Sequence, residues 1–252
     1  MEKSYIAMTN NEIKIIQSLD RKKVRQEMGQ FFIEGKRLVQ SALEFQRQLH
    51  EVFVTDLFLK DHSDFGDVLQ NSGVKLTQIS SKVMDKLSFT KSPSGAAAVC
   101  ALPTPTLCDT SQEKWLYLDH VSDPGNLGTL FRSAAWFGFR HVALSTNCVD
   151  PYNPKVVRSG MGAHFGLSIH SDILLNQFFD SHTLIGADHH GTPVERFSVP
   201  ENFVLVLGNE AHGLTDETKA HLNEIVAIAK RGFGESLNVS VAGAILMERF
   251  TR

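Results

Sequence analysis

Gly234-Glu235-Ser236-Leu237-Asn238-Val239-Ser240-Val241-Ala242-Gly243-Ala244 is the stretch on which the reading of this chain turns. It follows the apolar run Glu224-Ile225-Val226-Ala227-Ile228-Ala229 and leads into Ala244-Ile245-Leu246-Met247-Glu248-Arg249-Phe250. The order is strand, glycine-marked loop, helix. Gly232 and Gly234 let the loop backbone approach a ligand closely. Ser236 reads as the helix N-cap, and the first-turn N–H groups beyond it have no partners inside the helix. Such an end holds a polar or anionic group.

Upstream of this stretch the same alternation repeats. Trp115-Leu116-Tyr117-Leu118-Asp119 reads as a strand, 127–137 as a helix and His141-Val142-Ala143-Leu144-Ser145 as a strand. Residues 154–160 look helical and 166–170 strand-like. Leu184-Ile185-Gly186-Ala187 and Phe203-Val204-Leu205-Val206-Leu207-Gly208 are buried-strand runs, and 215–222 is a short helix. This pattern implies an α/β fold with a mostly parallel sheet covered on both faces. The prolines of Leu102-Pro103-Thr104-Pro105-Thr106 read as an extended linker. Ahead of it lies a second α/β unit: a helix over 11–28, strands at 30–35, 51–55, 74–79 and 96–101, and helices at 36–48, 65–70 and 81–87. The expected domains are therefore 1–102 and 113–252, joined by the linker 103–112.

Composition narrows the function classes. Apolar residues make up 42% and charged residues 21% of the 252, which suits a globular chain and argues against disorder. No apolar run approaches the roughly 20 residues of a membrane span, so no membrane partner is expected. Met1-Glu2-Lys3-Ser4-Tyr5 lacks a basic-then-apolar leader, and a cytoplasmic location is the expectation. Cys100, Cys108 and Cys148 suggest neither a disulfide framework nor a metal cluster. Net charge is −3, divided as +2 over residues 1–102 and −5 over 103–252. The basic cluster Arg21-Lys22-Lys23-Val24-Arg25, continued by Lys36-Arg37, reads either as a solvated helix face or as a phosphate-contacting patch.

Ligands of open α/β sheets bind outside the carboxyl ends of the strands. Three polar segments sit there. The first is Asp123-Pro124-Gly125-Asn126-Leu127-Gly128 with Arg132; a helix beginning near Leu127 puts Asn126 at its cap. The second is Gly208-Asn209-Glu210-Ala211-His212-Gly213-Leu214, and the third is the stretch quoted first. Gly232-x-Gly234 fails the dinucleotide fingerprint, because Leu237 stands where it needs glycine, and no Walker A sequence appears. That counts against a nucleotide-dependent oxidoreductase.

In order and spacing, Asn126…Arg132, then Leu207-Gly208-Asn209-Glu210-x-x-Gly213-Leu214, then Ile228…Ser236-Leu237-Asn238-Val239-Ser240 resembles the three signature motifs of the SpoU (TrmH) branch of the SPOUT RNA methyltransferases. The resemblance covers residues 115–252. The first 100 residues resemble the ribosomal-protein-like (L30e-like) substrate-binding domain that many members carry. The resemblance implies a C-terminal trefoil knot, a homodimer, and methyl transfer from S-adenosyl-L-methionine to a ribose 2′-hydroxyl of RNA. Ribosomal RNA is the expected target; transfer RNA, or a silent RNA-binding role on the same fold, are the alternatives. Asn126, Arg132, Glu210, Ser236 and Asn238 match the polar active-site positions. Gly208, Ile228 and Leu237 match cofactor contacts, with Leu207, Asn209 and Gly213 beside them. Arg21, Lys22, Lys23, Arg25, Lys36, Arg37 and Arg158 are the expected RNA contacts. Two departures stand out: Ala229-Lys230 replaces the usual Pro-Met, and Gly160 replaces a small polar residue.

Overall fold

A computed structural model of the protein describes residues 8–209 and 213–252. The chain forms two compact units, one of residues 1–104 with Tyr152–Phe165, the other of Pro105–Pro151 with Gly166–Arg252.

The first unit begins with α1 (Asn10–Gln17), held by a capping box between Thr9 and Glu12. The helix expected over 11–28 is broken. A 3-10 turn at Ser18–Asp20 and an extended Arg21 separate α1 from α2 (Lys22–Met28), which Gly29 ends at φ 62°. The break lets Leu19 join Ile13 and Ile16 in one buried cluster. Then follow β1 (Gln30–Glu34), α3 (Lys36–Glu44), β2 (Leu49–Thr55), α4 (Asp56–Asp61), α5 (Ser63–Asn71), β3 (Leu76–Ile79), α6 (Ser81–Leu87) and β4 (Ala96–Ala101). The sheet order is β1-β4-β2-β3, with β4 antiparallel to both neighbours and β2 parallel to β3. Alternate strand residues serve opposite faces. Phe31 and Ile33 meet Leu38, Val39 and Ala42 of α3, while Phe32 and Phe53 meet Ile13, Met84 and Leu87.

The first unit also takes in α8 (Pro154–Gly160) and the turn after it, which the expected division put in the second domain. Val157 and Phe165 lie in the cluster of Phe31, and Tyr152 packs its ring 5.1 Å from that of Phe31. Arg47 donates from Nε to the Phe165 carbonyl at 3.0 Å.

The second unit holds β5 (Lys114–Leu118), α7 (Pro124–Trp136), β6 (His141–Leu144), β7 (Ser168–His170), β8 (Thr183–Pro193), β9 (Phe203–Leu207), α9 (Asp216–Ala220), β10 (Glu224–Ala227) and α10 (Val239–Phe250). The order is β10-β8-β9-β5-β6-β7, and among the described residues these strands all pair parallel. β5 and β9 are apolar and buried throughout their centres, as a sheet covered on both faces requires. The chain leaves β5 toward β6 on one side and returns through β8 to β9 on the other. The β5–β9 boundary is therefore the topological switch point.

After the edge strand β10 the chain comes back to pack α10 on α7 and β9. Leu246, Met247 and Phe250 are buried, and the ring of Phe250 stands 5.3 Å from that of Phe203. A Cβ on Gly243 would lie 2.5 Å from Leu130 Cδ2 and 2.8 Å from Leu207 Cδ1, so glycine sets how closely α10 approaches. Among the described residues no helix is long and apolar enough to cross a membrane.

Candidate functional site

At the first motif the helix starts earlier than the sequence suggests. α7 begins at Pro124, whose missing N–H costs nothing at the first helical position. The N-cap is Asp123, not Asn126: Asp123 Oδ1 accepts the Asn126 N–H at 2.8 Å. Asn126 thus sits inside the first turn, with its side chain directed to a tertiary contact. Arg132 lies further along α7, exposed.

At the third motif the cap is Asn238 rather than Ser236. Asn238 Oδ1 accepts from the N–H of Ser240 at 2.9 Å and of Val241 at 3.4 Å, and from Ser240 Oγ at 2.6 Å. Its amide nitrogen donates to Asn126 Oδ1 at 2.9 Å. Asparagine carries its acceptor and its donor on separate atoms, so Oδ1 caps the helix while Nδ2 reaches Asn126. Ser236 lies two residues upstream on an exposed loop with Leu237, which is 51% exposed. Ile228 is half-buried directly after β10. Gly234 has φ 111°, a conformation that favours glycine.

The second motif closes tightly. Asn209 and Gly213 exchange backbone hydrogen bonds of 2.8 and 2.9 Å. A Cβ on Gly208 would collide with the backbone of Gly213 and Leu214, so only glycine fits. Glu210 lies outside the described residues. Leu207 is 1% exposed and its side chain is spent on the core, next to Gly243. Asn209 donates from Nδ2 to the His120 carbonyl at 2.8 Å.

Sequence reasoning passed over Asp119. Its carboxylate is buried, and Oδ2 accepts from Thr215 N at 3.1 Å and Thr215 Oγ1 at 3.2 Å, while Oδ1 meets His120 Nδ1 at 2.8 Å. The end of β5 is thereby tied to the loop after β9, across the switch point. An acidic residue at the end of an apolar strand was the available signal.

Of the basic residues, Arg21, Lys22, Lys23, Arg37 and Arg158 are exposed. Arg21 lies 3.7 Å from Asp20, and Lys23 3.8 Å from Glu27. Lys36 is half-buried over the Phe65 ring. Arg25 is a correction: it is 2% exposed and donates to the carbonyls of Leu19 and Asp20 at 2.7 and 2.8 Å. It holds the turn between α1 and α2 and leaves the basic surface.

Residues 113–248 match the SpoU rRNA Methylase family, and residues 10–98 match the MRM3-like substrate binding domain. A Bacillus subtilis relative, 23S rRNA (guanosine(2553)-2′-O)-methyltransferase RlmP, is 33% identical over 246 residues, covering 94% of this chain and 95% of its own. The mitochondrial rRNA methyltransferase 3 of Homo sapiens is 35% identical over 153 residues, covering 58% of this chain and 36% of its own. A TrmH-family protein of known structure from Porphyromonas gingivalis is 29% identical, with a TM-score of 0.82 over 97% of this chain and 98% of that one.

Proposed function

The chain belongs to the SpoU rRNA methylase family, and on that premise we propose that it moves the methyl group of S-adenosylmethionine to a ribose 2′-hydroxyl of ribosomal RNA. The observation that carries the proposal is the Asn126–Asn238 hydrogen bond, which joins the first and third motifs at the strand ends. The Bacillus subtilis relative, similar over nearly its whole length and named for 2′-O-methylation of 23S rRNA, supports the acceptor and the RNA class. The match of residues 10–98 to a substrate-binding domain supports RNA as the partner of the first unit.

The residues suit an adenosine-bearing cofactor. The backbone of Gly213 and Leu214 excludes a side chain at Gly208, so a ligand there meets backbone groups. Ile228 and the exposed Leu237 offer apolar contact on the loop after β10. When bound, the sulfonium supplies an already reactive methyl. The chain then has to hold the acceptor oxygen in line with it and stabilise the charge on that oxygen as its proton passes to solvent. Asn126 and Asn238, each fixed by the other, position polar groups at the reacting end. Arg132 is assigned to the developing alkoxide or the adjoining phosphate. A guanidinium, always protonated in proteins, donates there and does not serve as a base.

The family's trefoil knot and homodimer belong to the same proposal. The return of α10 from the edge strand β10 across β9 supports the knot. Trp136 on α7, 84% exposed, and Val241 on α10, 48% exposed, support a second copy packed on that helix pair. Arg21, Lys22, Lys23 and Arg37, exposed on α2, its leading residue and α3, support RNA contact by the first unit.

Methyl transfer from radiolabelled S-adenosylmethionine to undermethylated ribosomal RNA tests the reading. Arg132→Ala should lower turnover at least about a hundredfold, the scale of one lost transition-state donor, and leave cofactor affinity within twofold. Wild-type turnover by this variant would remove Arg132 from the mechanism. A label found on a base, not on a ribose, would overturn the 2′-hydroxyl assignment.

A further inference from the structure

His120 follows Asp119 at the end of β5, and its backbone is clamped in the left-handed region at φ 56°. Its N–H donates to Ser145 Oγ at 2.9 Å and its carbonyl accepts from Asn209 Nδ2 at 2.8 Å. A non-glycine residue in this conformation costs on the order of 1 kcal/mol, and such strain concentrates at functional sites. The ring is held as firmly as the backbone. Nδ1 stands 2.8 Å from Asp119 Oδ1, a carboxylate 2% exposed, while the imidazole itself is 37% exposed. With Nδ1–H given to the carboxylate, Nε2 of the neutral ring accepts from Asn147 Nδ2 at 3.3 Å. Asn147 is also left-handed, at φ 67°. Two strained polar residues, one at the end of β5 and one just past β6, thus set an imidazole and an amide side by side at the ligand-binding edge of the sheet.

We propose that His120 and Asn147 form a phosphate-binding subsite for the backbone of the RNA substrate. The proposal rests on the RNA methyltransferase reading and adds a contact in the second unit, apart from the basic cluster of the first. Protonated at Nε2, the ring no longer accepts from Asn147 Nδ2, and both donors turn to the two free oxygens of one phosphodiester. The buried Asp119 carboxylate balances the imidazolium. Besides Asp119, the ring meets the neutral Asn147 amide, and the neutral Ser145 hydroxyl and Asn209 amide hold its backbone. Phosphate binds an imidazolium in preference to a neutral ring, so RNA affinity should be greater at pH 6 than at pH 8.

The test measures binding of an in vitro transcribed ribosomal RNA to the full-length protein at pH 6 and pH 8, across a salt series, beside S-adenosylmethionine titrations. His120→Asn keeps a residue that tolerates the left-handed backbone and removes the imidazole. It should weaken RNA binding at pH 6 about tenfold, lower the log–log salt slope by about one, and abolish the pH difference. Cofactor affinity should stay within twofold. Asn147→Gly, which also suits the backbone, should weaken RNA binding a few-fold and retain the pH difference. Unchanged RNA affinity and slope in His120→Asn overturn the subsite. Should His120→Asn lose cofactor binding as well, Asn147→Gly decides, and wild-type RNA affinity there overturns it. A wild-type protein that neither binds nor methylates RNA overturns the functional reading itself, an outcome readily told apart from failure of the subsite.

Discussion

Asn238 Nδ2 donates to Asn126 Oδ1 at 2.9 Å, across 112 residues of sequence, while Asn238 Oδ1 caps α10. One side chain therefore both starts the last helix and fastens it to the first turn of α7. The two roles separate chemically. Asn238→Asp keeps the capping oxygens but loses the donor, and it should hold its melting temperature within a few degrees while losing at least about tenfold in turnover. Asn238→Ala loses both and should also cost about 1 kcal/mol of stability, the usual value of a cap. Equal turnover in Asn238→Asp and wild type would show that the tie to Asn126 is only structural.

Gly208 makes the second motif a matter of sterics. A methyl group there meets backbone atoms of Gly213 and Leu214, which cannot swing aside as a side-chain end can. Gly208→Ala should destabilise the protein by about 2 kcal/mol or more, in the range of an overpacked core. It should also abolish cofactor binding, because the turn has to open. Urea denaturation and calorimetric titration check the two effects separately. Gly243→Ala is the comparison, since its neighbours are the mobile ends of Leu130 and Leu207. The smaller loss belongs there.

What the sequence made legible followed from burial. Phe203–Leu207 reads as a fully buried parallel strand because every residue is apolar, and it is one. The start of α7 was not legible, because Asp123-Pro124-Gly125 has the composition of a turn and only the geometry reveals a capped first turn. Ser236 and Asn238 are both good capping residues; the choice fell to Asn238 because Asn126 lies within reach of its amide. α4 was missed because it follows β2 with no loop, under a cap from Thr55. Arg25 looked like one charge in a run of four, and nothing local shows that its guanidinium turns inward to two carbonyls. For Asn238 the missing information was a contact made by chain folding; for α4, α7 and Arg25 it was the geometry of contacts within six residues along the chain.

The composition of the first unit makes a prediction about truncation. Val157 and Phe165 pack in the cluster that contains Phe31, Leu38 and Ala42, and Tyr152 lies against Phe31. A fragment of residues 105–252 retains these apolar side chains and loses their partners. It should associate through that surface, seen as concentration-dependent light scattering. Replacing Val157 and Phe165 with polar residues in the fragment should reduce the scattering. A monodisperse fragment with the native residues would show that α8 finds cover elsewhere.

Acid should weaken the second unit through His141. Burial, joined by the neighbouring His170, lowers its pKa below the ordinary histidine value, with Asp109 opposing in part. The ring packs 5.0 Å from that of Trp115, which is itself fully buried and 5.4 Å from the ring of His170. A histidine with a depressed folded-state pKa binds its proton more readily in the unfolded chain. The unfolded state therefore takes up more protons as pH falls, and the stability His141 contributes is complete above about pH 6.5 and declines below it. The urea midpoint should fall between pH 7.5 and pH 5. His141→Gln, which carries no titrating ring, should show a smaller fall than wild type over the same interval. An identical fall in the two proteins would move the acid sensitivity to other groups.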